Sequence, residues 1–376
     1  MPSRFFSGQV HLLLKRCLTL IERLNSLQDL PTELAPHVSE LNNTLNRIRL
    51  AIENLLNDPD FASPSLLVNQ FDFYKRLAEL LNTFEWHPLG LLDHYNDRDL
   101  YFYRFSKLFC EQIQYPYPPP LLSAHSNEYF SSVPPTNLIS VPLGEDTNLL
   151  ALPDFVHELG HLIYHHVWKK LVAQFMPHLQ KHINDQKLST ASQAAKAYED
   201  KLQLLEQSWS QRYAIEFFCD VFASYAVGAA YGWSHLRLVL ATQTDLYNPS
   251  FGDTATHPAD EARMRIILLT LKRMGYDGAA VALKGRWDAL TSILVAKPDG
   301  EYHFCYPDAL LEKFSELVTK LCRELDLIPF FDQPTADNNL PNLMQQAWDR
   351  FHSDPVAYAQ WETGKIASLK SLLATP

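Results

Sequence analysis

The sequence predicts a mainly α-helical protein with a small β-sheet, and two observations support this fold class. Apolar residues recur at helical spacing through the first 60 residues and through most of the chain after residue 142. One short segment, residues 137–142, has the composition of a β-strand. At about 150 residues per domain, the 376 residues correspond to one to three domains.

The composition is that of a globular protein and disfavours several classes of function. Apolar residues make up 47% of the chain and charged residues 20%, which excludes a disordered or low-complexity chain. The net charge of −11 disfavours nucleic acid and anionic membrane surfaces as partners. The five cysteines are far apart and form no CxxC pair, which favours a reducing compartment. Because we find no secretory signal and no apolar stretch of about 20 residues, we predict a soluble, cytoplasmic protein without membrane insertion.

Apolar stripes predict packed helices in an N-terminal helical region, residues 1–85. Within residues 34–55 the apolar positions step alternately by four and three, and a second stripe lies within residues 10–24. The two stripes are separated by a break at Pro31 and predict a helical hairpin, while residues 65–81 predict a third helix. Such a stripe is usually a core face, although it could also be a docking surface for a protein partner.

The rest of the chain divides into a central domain, residues 86–285, and a C-terminal helical region, residues 286–376. Residues 86–135 are predicted to be irregular, because the prolines within residues 115–120 exclude a helix interior or a central strand. The strand candidate at 137–142 ends in a proline, which suits a strand end or an exposed sheet edge.

The segment with the clearest chemical meaning is HELGH at residues 157–161. Residues four apart lie one helical turn apart, so the imidazoles of His157 and His161 project from one face and can bind one Zn²⁺ ion. Glu158 lies beside the first histidine and is placed to take a proton from a water molecule that the metal activates. Strongly apolar flanking residues predict a buried helix, and the alternative is a surface helix with two solvated histidines.

A catalytic zinc site needs a further protein ligand, and Glu216 is the best candidate. Between Tyr213 and Ser234 the only charged residues are Glu216 and Asp220, which lie four apart on one face of an apolar helix. Two buried carboxylates without partners would be strongly destabilising. Zinc would satisfy Glu216, and Asp220 could accept the outward N–H of a ligand histidine. The alternative is a salt bridge from Glu216 to Arg212, one turn earlier, with Asp220 paired elsewhere.

A third segment, HPADEAR at residues 257–263, predicts the start of another helix. Pro258 is expected at the first helical position, with two acidic residues in the first turn, where they suit the helix dipole. His257 would then lie at the cap, where it could hydrogen-bond the oxyanion of a tetrahedral intermediate or serve only the helix start. Arg263 could bridge to the carboxylates of the site or pair with Asp260, three residues before it.

Together the three segments resemble the gluzincin metallopeptidases, through HELGH at 157–161, ExxxD at 216–220 and HPxxxxR at 257–263. They are most similar to the branch that holds the HtpX heat-shock proteases and the CAAX prenyl proteases. This chain lacks the transmembrane helices of those relatives, so their membrane location and prenyl-peptide substrates are not expected here. The resemblance spans about 130 residues, from Asn137 to Met264.

The resemblance implies specific roles for the residues that match the motifs. His157, His161 and Glu216 would bind zinc, Glu158 would be the general base, and Asp220 would orient a ligand histidine. His257 and Arg263 match the third motif of the branch. The implied fold is a zincin-like catalytic core in which the edge strand of a small sheet, here residues 137–142, lies above the metal helix and pairs with an extended substrate.

The sequence therefore predicts a zinc-dependent endopeptidase that acts on a protein or peptide substrate. Glu158 would move the proton, and zinc together with His257 would stabilise the oxyanion. One alternative is a catalytically silent binding or scaffold protein that keeps the zincin fold. The other is a zinc hydrolase that acts on a non-peptide amide.

Overall fold

A computed structural model describes residues 2–63, 65–126, 129–145, 148–189, 195–242, 246–248, 257–294, 297–336 and 338–374. Within these residues the protein is mainly α-helical and has one three-stranded β-sheet, which confirms the predicted fold class. The zincin-like arrangement of the core remains a prediction. None of the described helices combines the length and the apolar character that crossing a bilayer requires.

The helices and strands follow one another in an order that places the sheet between two helical parts of the chain. In the part of the chain that the structure describes, the α-helices before the sheet are α1 (Pro2–Ser26), α2 (Ala35–Leu56), α3 (Leu67–Phe84), α4 (Gly90–Asp93) and α5 (Asp97–Gln112). The strands are β1 (Leu121–Ser126), β2 (Ser131–Val133) and β3 (Leu138–Pro142). The helices after the sheet are α6 (Leu152–Ser189), α7 (Ala195–Ser208), α8 (Ala214–Val227), α9 (Ala229–Thr242), α10 (Asp260–Arg273), α11 (Asp277–Ile293), α12 (Gly300–Cys305), α13 (Asp308–Glu324), α14 (Leu340–Ser353) and α15 (Pro355–Ala374).

The chain divides into two compact units. The first comprises Met1–Tyr103, Leu121–Ser123 and Pro135–Leu138, and the second comprises Arg104–Pro120, Ala124–Pro134 and Ile139–Pro376. This grouping differs from the three regions assigned from the sequence. Residues 86–103 group with the N-terminal helices, and residues 286–376 belong to the same unit as HELGH.

The N-terminal unit contains the predicted helical hairpin and third helix, as α1, α2 and α3. Six of the seven apolar positions in the stripe at 34–55 are buried, all except Val38. The stripe therefore forms the internal core of this unit. A protein partner bound through the N-terminal helices remains a prediction, and it would have to contact other faces of them.

The region predicted to be irregular, residues 86–135, is partly helical, so that prediction is wrong for α4 and α5. The start of α5 carries a signal that could have revealed it. The Asn96 side chain accepts a hydrogen bond from the backbone N–H of Arg98 at 2.9 Å, and Asp97 and Asp99 lie in the first turn. Asparagine at the N-cap followed by acidic residues is typical of a helix start.

The sheet has the strand order β1-β3-β2, so the predicted strand at 137–142 exists but lies in the centre of the sheet. The prediction of an edge strand there is wrong. The proline that suggested an edge, Pro142, is the last residue of β3, where a missing N–H costs the ladder little. The edge strand that packs against α6 is the short strand β2.

Helix α8 forms the centre of the second unit and packs against α6, α10 and α13. Thirteen of its fourteen residues are buried, and they include Glu216 and Asp220. A π-helical turn at Trp209–Tyr213 leads directly into it. The two predicted site carboxylates are therefore held in the interior of the protein, where charge needs a partner.

Candidate metal centre

HELGH occupies the second and third turns of α6, with both histidines largely withdrawn from solvent. His157 is 7% exposed and the side chain of His161 is 18% exposed. The apolar residues around them, including Phe155 and Leu159, are buried in the core. The alternative of a surface helix with two solvated histidines is therefore excluded.

A glycine brings α8 unusually close to α6 at this point. A Cβ atom at position 160 would lie 2.9 Å from the Cα atom of Cys219 and 3.1 Å from its sulfur atom. Only a residue without a side chain permits this approach of two helix backbones. The close contact places Glu216, which lies one turn before Cys219 on α8, opposite the two histidines.

The carboxylate of Glu216 faces both imidazoles. Its Oε2 atom lies 3.4 Å from His157 Nε2, and its Oε1 atom lies 3.7 Å from His161 Nε2. Ligand atoms about 2.0–2.2 Å from one tetrahedral metal ion are separated by roughly 3.3–3.6 Å, so the first distance lies within this range and the second lies just beyond it. The Oε2 atom is buried and makes no hydrogen bond to the described residues. The three predicted metal ligands are thus brought together, with an oxygen atom left to receive a cation.

Cys219 is a further residue at this centre that sequence reasoning did not select as a ligand. Ligand atoms of His157, His161 and Cys219 lie within 4.8 Å of one another, so this group could hold a metal ion. Burial raises the pKa of the Cys219 thiol well above its ordinary value. Burial also opposes the charge of Glu216, but the adjacent His157 and the nearby charges lower the pKa of that carboxyl to about 2. Before a metal binds, Glu216 therefore offers an anionic oxygen, whereas the sulfur of Cys219 would have to lose its proton to become a ligand.

The two histidines differ in their electrostatic environment. Burial favours the neutral form of each, and it lowers the pKa of His161 to about 4. For His157 that effect is outweighed by the close carboxylates of Asp220 and Glu216, which raise its pKa to about 10. The carboxylates therefore stabilise positive charge at the same point where a metal ion would lie.

Glu158 lies at the edge of the centre with its side chain 12% exposed, and its Oε2 atom is 3.9 Å from His161 Nε2. Burial raises the pKa of its carboxyl to about 7, although the charge of His157 and a hydrogen bond from Ser132 on β2 act in the opposite direction. A carboxyl group with a pKa near neutrality is suited to accept and return a proton.

Arg263 bridges to the site carboxylates, as one of its two predicted alternatives requires. Its Nε atom donates to Asp220 Oδ2 at 3.0 Å, and its Nη2 atom donates to Asp220 Oδ1 at 2.7 Å. The same Nη2 atom lies 3.7 Å from Glu216 Oε2. This bidentate pair holds the pKa of Asp220 far below its usual range despite complete burial.

His157 Nδ1, on the side of the ring away from Glu216, lies 3.2 Å from Asp220 Oδ1. The position of Asp220 is therefore the one expected for a residue that orients a ligand histidine. Nearer still, at 2.9 Å, is the hydroxyl of Tyr231, on α9. No charge or spacing marks Tyr231 in the sequence, and only the fold brings it to the histidine.

His257 lies beside the centre but is not the cap of a helix. Helix α10 begins at Asp260 with Ala259 as its N-cap, so the predicted start at Pro258 is two residues too early. The difference is local, because the backbone at Ala259 has a ψ of 138°, outside the helical region, and the helix can begin only after it. His257 Nε2 lies 3.7 Å from Glu216 Oε2, and the side chain is 57% exposed. It therefore stands where the buried centre opens to solvent.

Comparison of the chain with protein-family models, with curated proteins and with solved structures found no match in any of the three.

Proposed function

We propose that this protein is a zinc-dependent endopeptidase that hydrolyses peptide bonds at the His157, His161 and Glu216 centre. The observation that carries the proposal is the placement of one buried carboxylate against two histidine Nε2 atoms, at 3.4 and 3.7 Å, with Glu158 beside them. An ordinary buried ion pair would not require a second carboxyl group at the exposed side of the same two imidazoles.

The donor set supports zinc as the metal. Two imidazole nitrogens and one carboxylate oxygen are the usual protein ligands of a catalytic zinc ion, which keeps a further position open. When bound, zinc would supply a Lewis acid for the scissile carbonyl and lower the pKa of water. The ligands would be His157, His161 and Glu216, and Arg263 and Asp220 would hold the surrounding charges in place.

The residues at the open side of the centre would perform the proton transfers. Glu158 would accept a proton from the attacking water and deliver it to the leaving amine. The exposed imidazole of His257 would hydrogen-bond the oxygen of the scissile carbonyl as negative charge develops there. No covalent intermediate with the protein is required, because water is the nucleophile.

The proposal also includes a class of substrate and a cellular compartment. An extended peptide or protein segment is the natural substrate of a zinc hydrolase with an edge strand beside its metal helix. All five cysteines are unpaired and buried, which supports a reducing, cytoplasmic location.

The substitution Glu158→Gln tests the proposal. It keeps the size of the side chain but removes the proton acceptor, so we expect zinc binding to persist and hydrolysis to fall by roughly 100-fold or more. Metal content is measured on purified protein, and cleavage is followed by mass spectrometry on a denatured protein and a peptide library. Glu206→Gln is a matched control, because Glu206 pairs with Gln180 on the neighbouring helices and should leave both measurements unchanged.

Each outcome separates the proposal from its alternatives. A wild-type protein that binds zinc but cleaves no peptide would favour the silent binding protein. Cleavage of small amides without cleavage of peptides would favour the non-peptide hydrolase. A Glu158→Gln variant with full peptidase activity would remove Glu158 from the mechanism.

A further inference from the structure

Tyr231 makes a buried hydrogen-bonding network with three residues of the metal centre, and the sequence analysis gave it no role. Its side chain is 2% exposed, and its ring stacks on that of His157 with centroids 5.7 Å apart and planes 13° apart. Its hydroxyl contacts His157, Asp220 and Arg263. A buried tyrosine needs a partner for its hydroxyl, but three partners from one site are more than packing requires.

The hydrogens of this network can be assigned from the donors and acceptors. The hydroxyl of Tyr231 donates its only hydrogen to Asp220 Oδ1 and accepts from Arg263 Nη2 at 3.2 Å. Its remaining contact, 2.9 Å from His157 Nδ1, must then be one in which the imidazole donates. His157 therefore carries hydrogen on Nδ1 and presents Nε2 to Glu216.

Asp220 by itself would be a weak acceptor for the hydrogen on His157 Nδ1. A carboxylate oxygen accepts about two hydrogen bonds, and Oδ1 of Asp220 already receives one from Arg263 and one from Tyr231. The distance from Asp220 Oδ1 to His157 Nδ1 is 3.2 Å, longer than the 2.9 Å to the tyrosine oxygen. The hydroxyl oxygen of Tyr231 is thus the main acceptor of the hydrogen on His157 Nδ1. Asp220 influences His157 through its hydrogen bond from Tyr231.

The fold places Tyr231 there by means of one residue. Gly228 joins α8 to α9 with φ of 62° and ψ of −140°, a conformation that favours glycine. A Cβ atom at this position would lie 2.6 Å from the ring of Phe330. The resulting tight corner returns the chain so that the first turn of α9 faces Asp220 on α8.

We infer that Tyr231 is a positioning residue of the metal centre, which fixes the tautomer and orientation of His157 and links that ligand to the Asp220–Arg263 pair. The inference rests on the proposed function, because it takes His157 to be a metal ligand. Outer hydrogen bonds of this kind set the affinity of a metal site, and their loss typically costs about 10- to 100-fold.

Tyr231→Phe tests this inference, with Tyr225→Phe as the matched control. Tyr225 is also buried, on α8, but its hydroxyl donates to the backbone oxygen of Leu327 at 3.0 Å. Zinc affinity is measured by chelator competition, and the ligand field is monitored by the absorption bands of the Co²⁺-loaded protein. We expect Tyr231→Phe to weaken zinc binding by about 10- to 100-fold and to shift the Co²⁺ bands. Tyr225→Phe should retain wild-type values of both.

A measurement on the wild-type protein keeps the inference testable if Tyr231→Phe does not fold. In the zinc-loaded protein labelled with ¹⁵N-histidine, the Nδ1–H proton of His157 should exchange slowly and show a nuclear Overhauser contact with the ring of Tyr231. Rapid exchange of that proton, or its contact with a different side chain, would overturn the inference.

The outcomes also separate this inference from the proposed function. Wild-type protein that binds zinc without cleaving peptides, together with weakened binding in Tyr231→Phe, would support the positioning role and refute the peptidase. Equal zinc affinity and equal Co²⁺ bands in the two tyrosine variants would refute the positioning role and leave the peptidase intact. Wild-type protein that binds no metal would refute both.

Discussion

Two buried histidines, one in each unit, show how much the surroundings decide what a side chain can do. His37 on α2 is 8% exposed and meets the ring of Tyr103 edge-on, with ring centroids 5.3 Å apart. Burial alone lowers its pKa to about 4, so it packs as a neutral aromatic ring. His157 on α6 is equally buried, but Asp220 and Glu216 raise its pKa to about 10.

The difference distinguishes a histidine that is only buried from one at a candidate functional site. Withdrawing a histidine from water favours its neutral form, and the protein needs nothing more to accommodate it. Directing carboxylates at a buried histidine reverses this preference and concentrates negative charge in the interior. That arrangement needs compensating positive charge, which Arg263 supplies in part, and such a convergence of buried charges marks a candidate site.

Replacing Glu216 should have the largest effect. Glu216→Gln removes the charge that the two histidines share, so we expect zinc affinity to fall by more than the roughly 100-fold typical of an outer hydrogen bond. Zinc retention after dialysis and chelator competition measure the change. Glu206→Gln should bind zinc as the wild type does, and an unchanged affinity in Glu216→Gln would mean that the metal uses other ligands.

The contrast between the two histidines predicts that His37 makes the stability of the protein depend on pH, with an effect of intermediate size. Its folded pKa of about 4 lies below the unfolded value of 6.5, so its stabilising contribution is complete above pH 6.5 and is lost as the pH falls towards 4. Between pH 7 and pH 5 this amounts to about 2 kcal/mol of unfolding free energy. Urea unfolding measures the unfolding free energy at each pH. Between pH 7 and pH 5 that free energy should fall more steeply in the wild type than in His37→Leu. Parallel pH profiles would contradict a buried, neutral His37.

Substitutions at two helical glycines should change stability with opposite signs, and the smallest effect is expected at Gly8. At Gly160 an added methyl group collides with the backbone of Cys219, so Gly160→Ala should destabilise the protein by about 1–3 kcal/mol and weaken zinc binding by separating α6 from α8. At Gly8 on α1 nothing lies within 4 Å, and Gly8→Ala should stabilise by about 0.5–1 kcal/mol. Urea midpoints measure both. A neutral Gly160→Ala would show that the two helices can move apart freely.

The parts of the fold that the sequence predicts are those governed by local pattern. Helical spacing identifies the first three helices, and the two pairs of residues four apart identify the faces of α6 and α8 that carry the site. Strand β3 is found from its composition, but its place in the sheet is not. That place depends on which sides of β3 pair with β1 and β2, and those two strands are short and have little pattern of their own.

The parts of the site that the sequence does not predict depend on distant contacts. Tyr231 lies in an apolar stretch where nothing distinguishes it from a core tyrosine, and its role arises from a corner in the chain. Cys219 reaches the histidines only because Gly160 lets two backbones meet. Helix α5 is a different case, because its Asn96 cap is a local signal that was available.

The corner at Gly228 affects how the results of mutagenesis at this position would be interpreted. Every replacement there strains a left-handed backbone and brings an atom against the ring of Phe330, so we expect replacements to disturb the corner that positions Tyr231. If the proposed activity is correct, a saturation screen scored on catalysis should rank position 228 with the candidate metal ligands, although glycine has no side chain to take part in the reaction. Intolerance to substitution at that position would reflect the geometry of the corner between α8 and α9. A separate measurement of bound metal would be needed to identify the residues that take part in the chemistry.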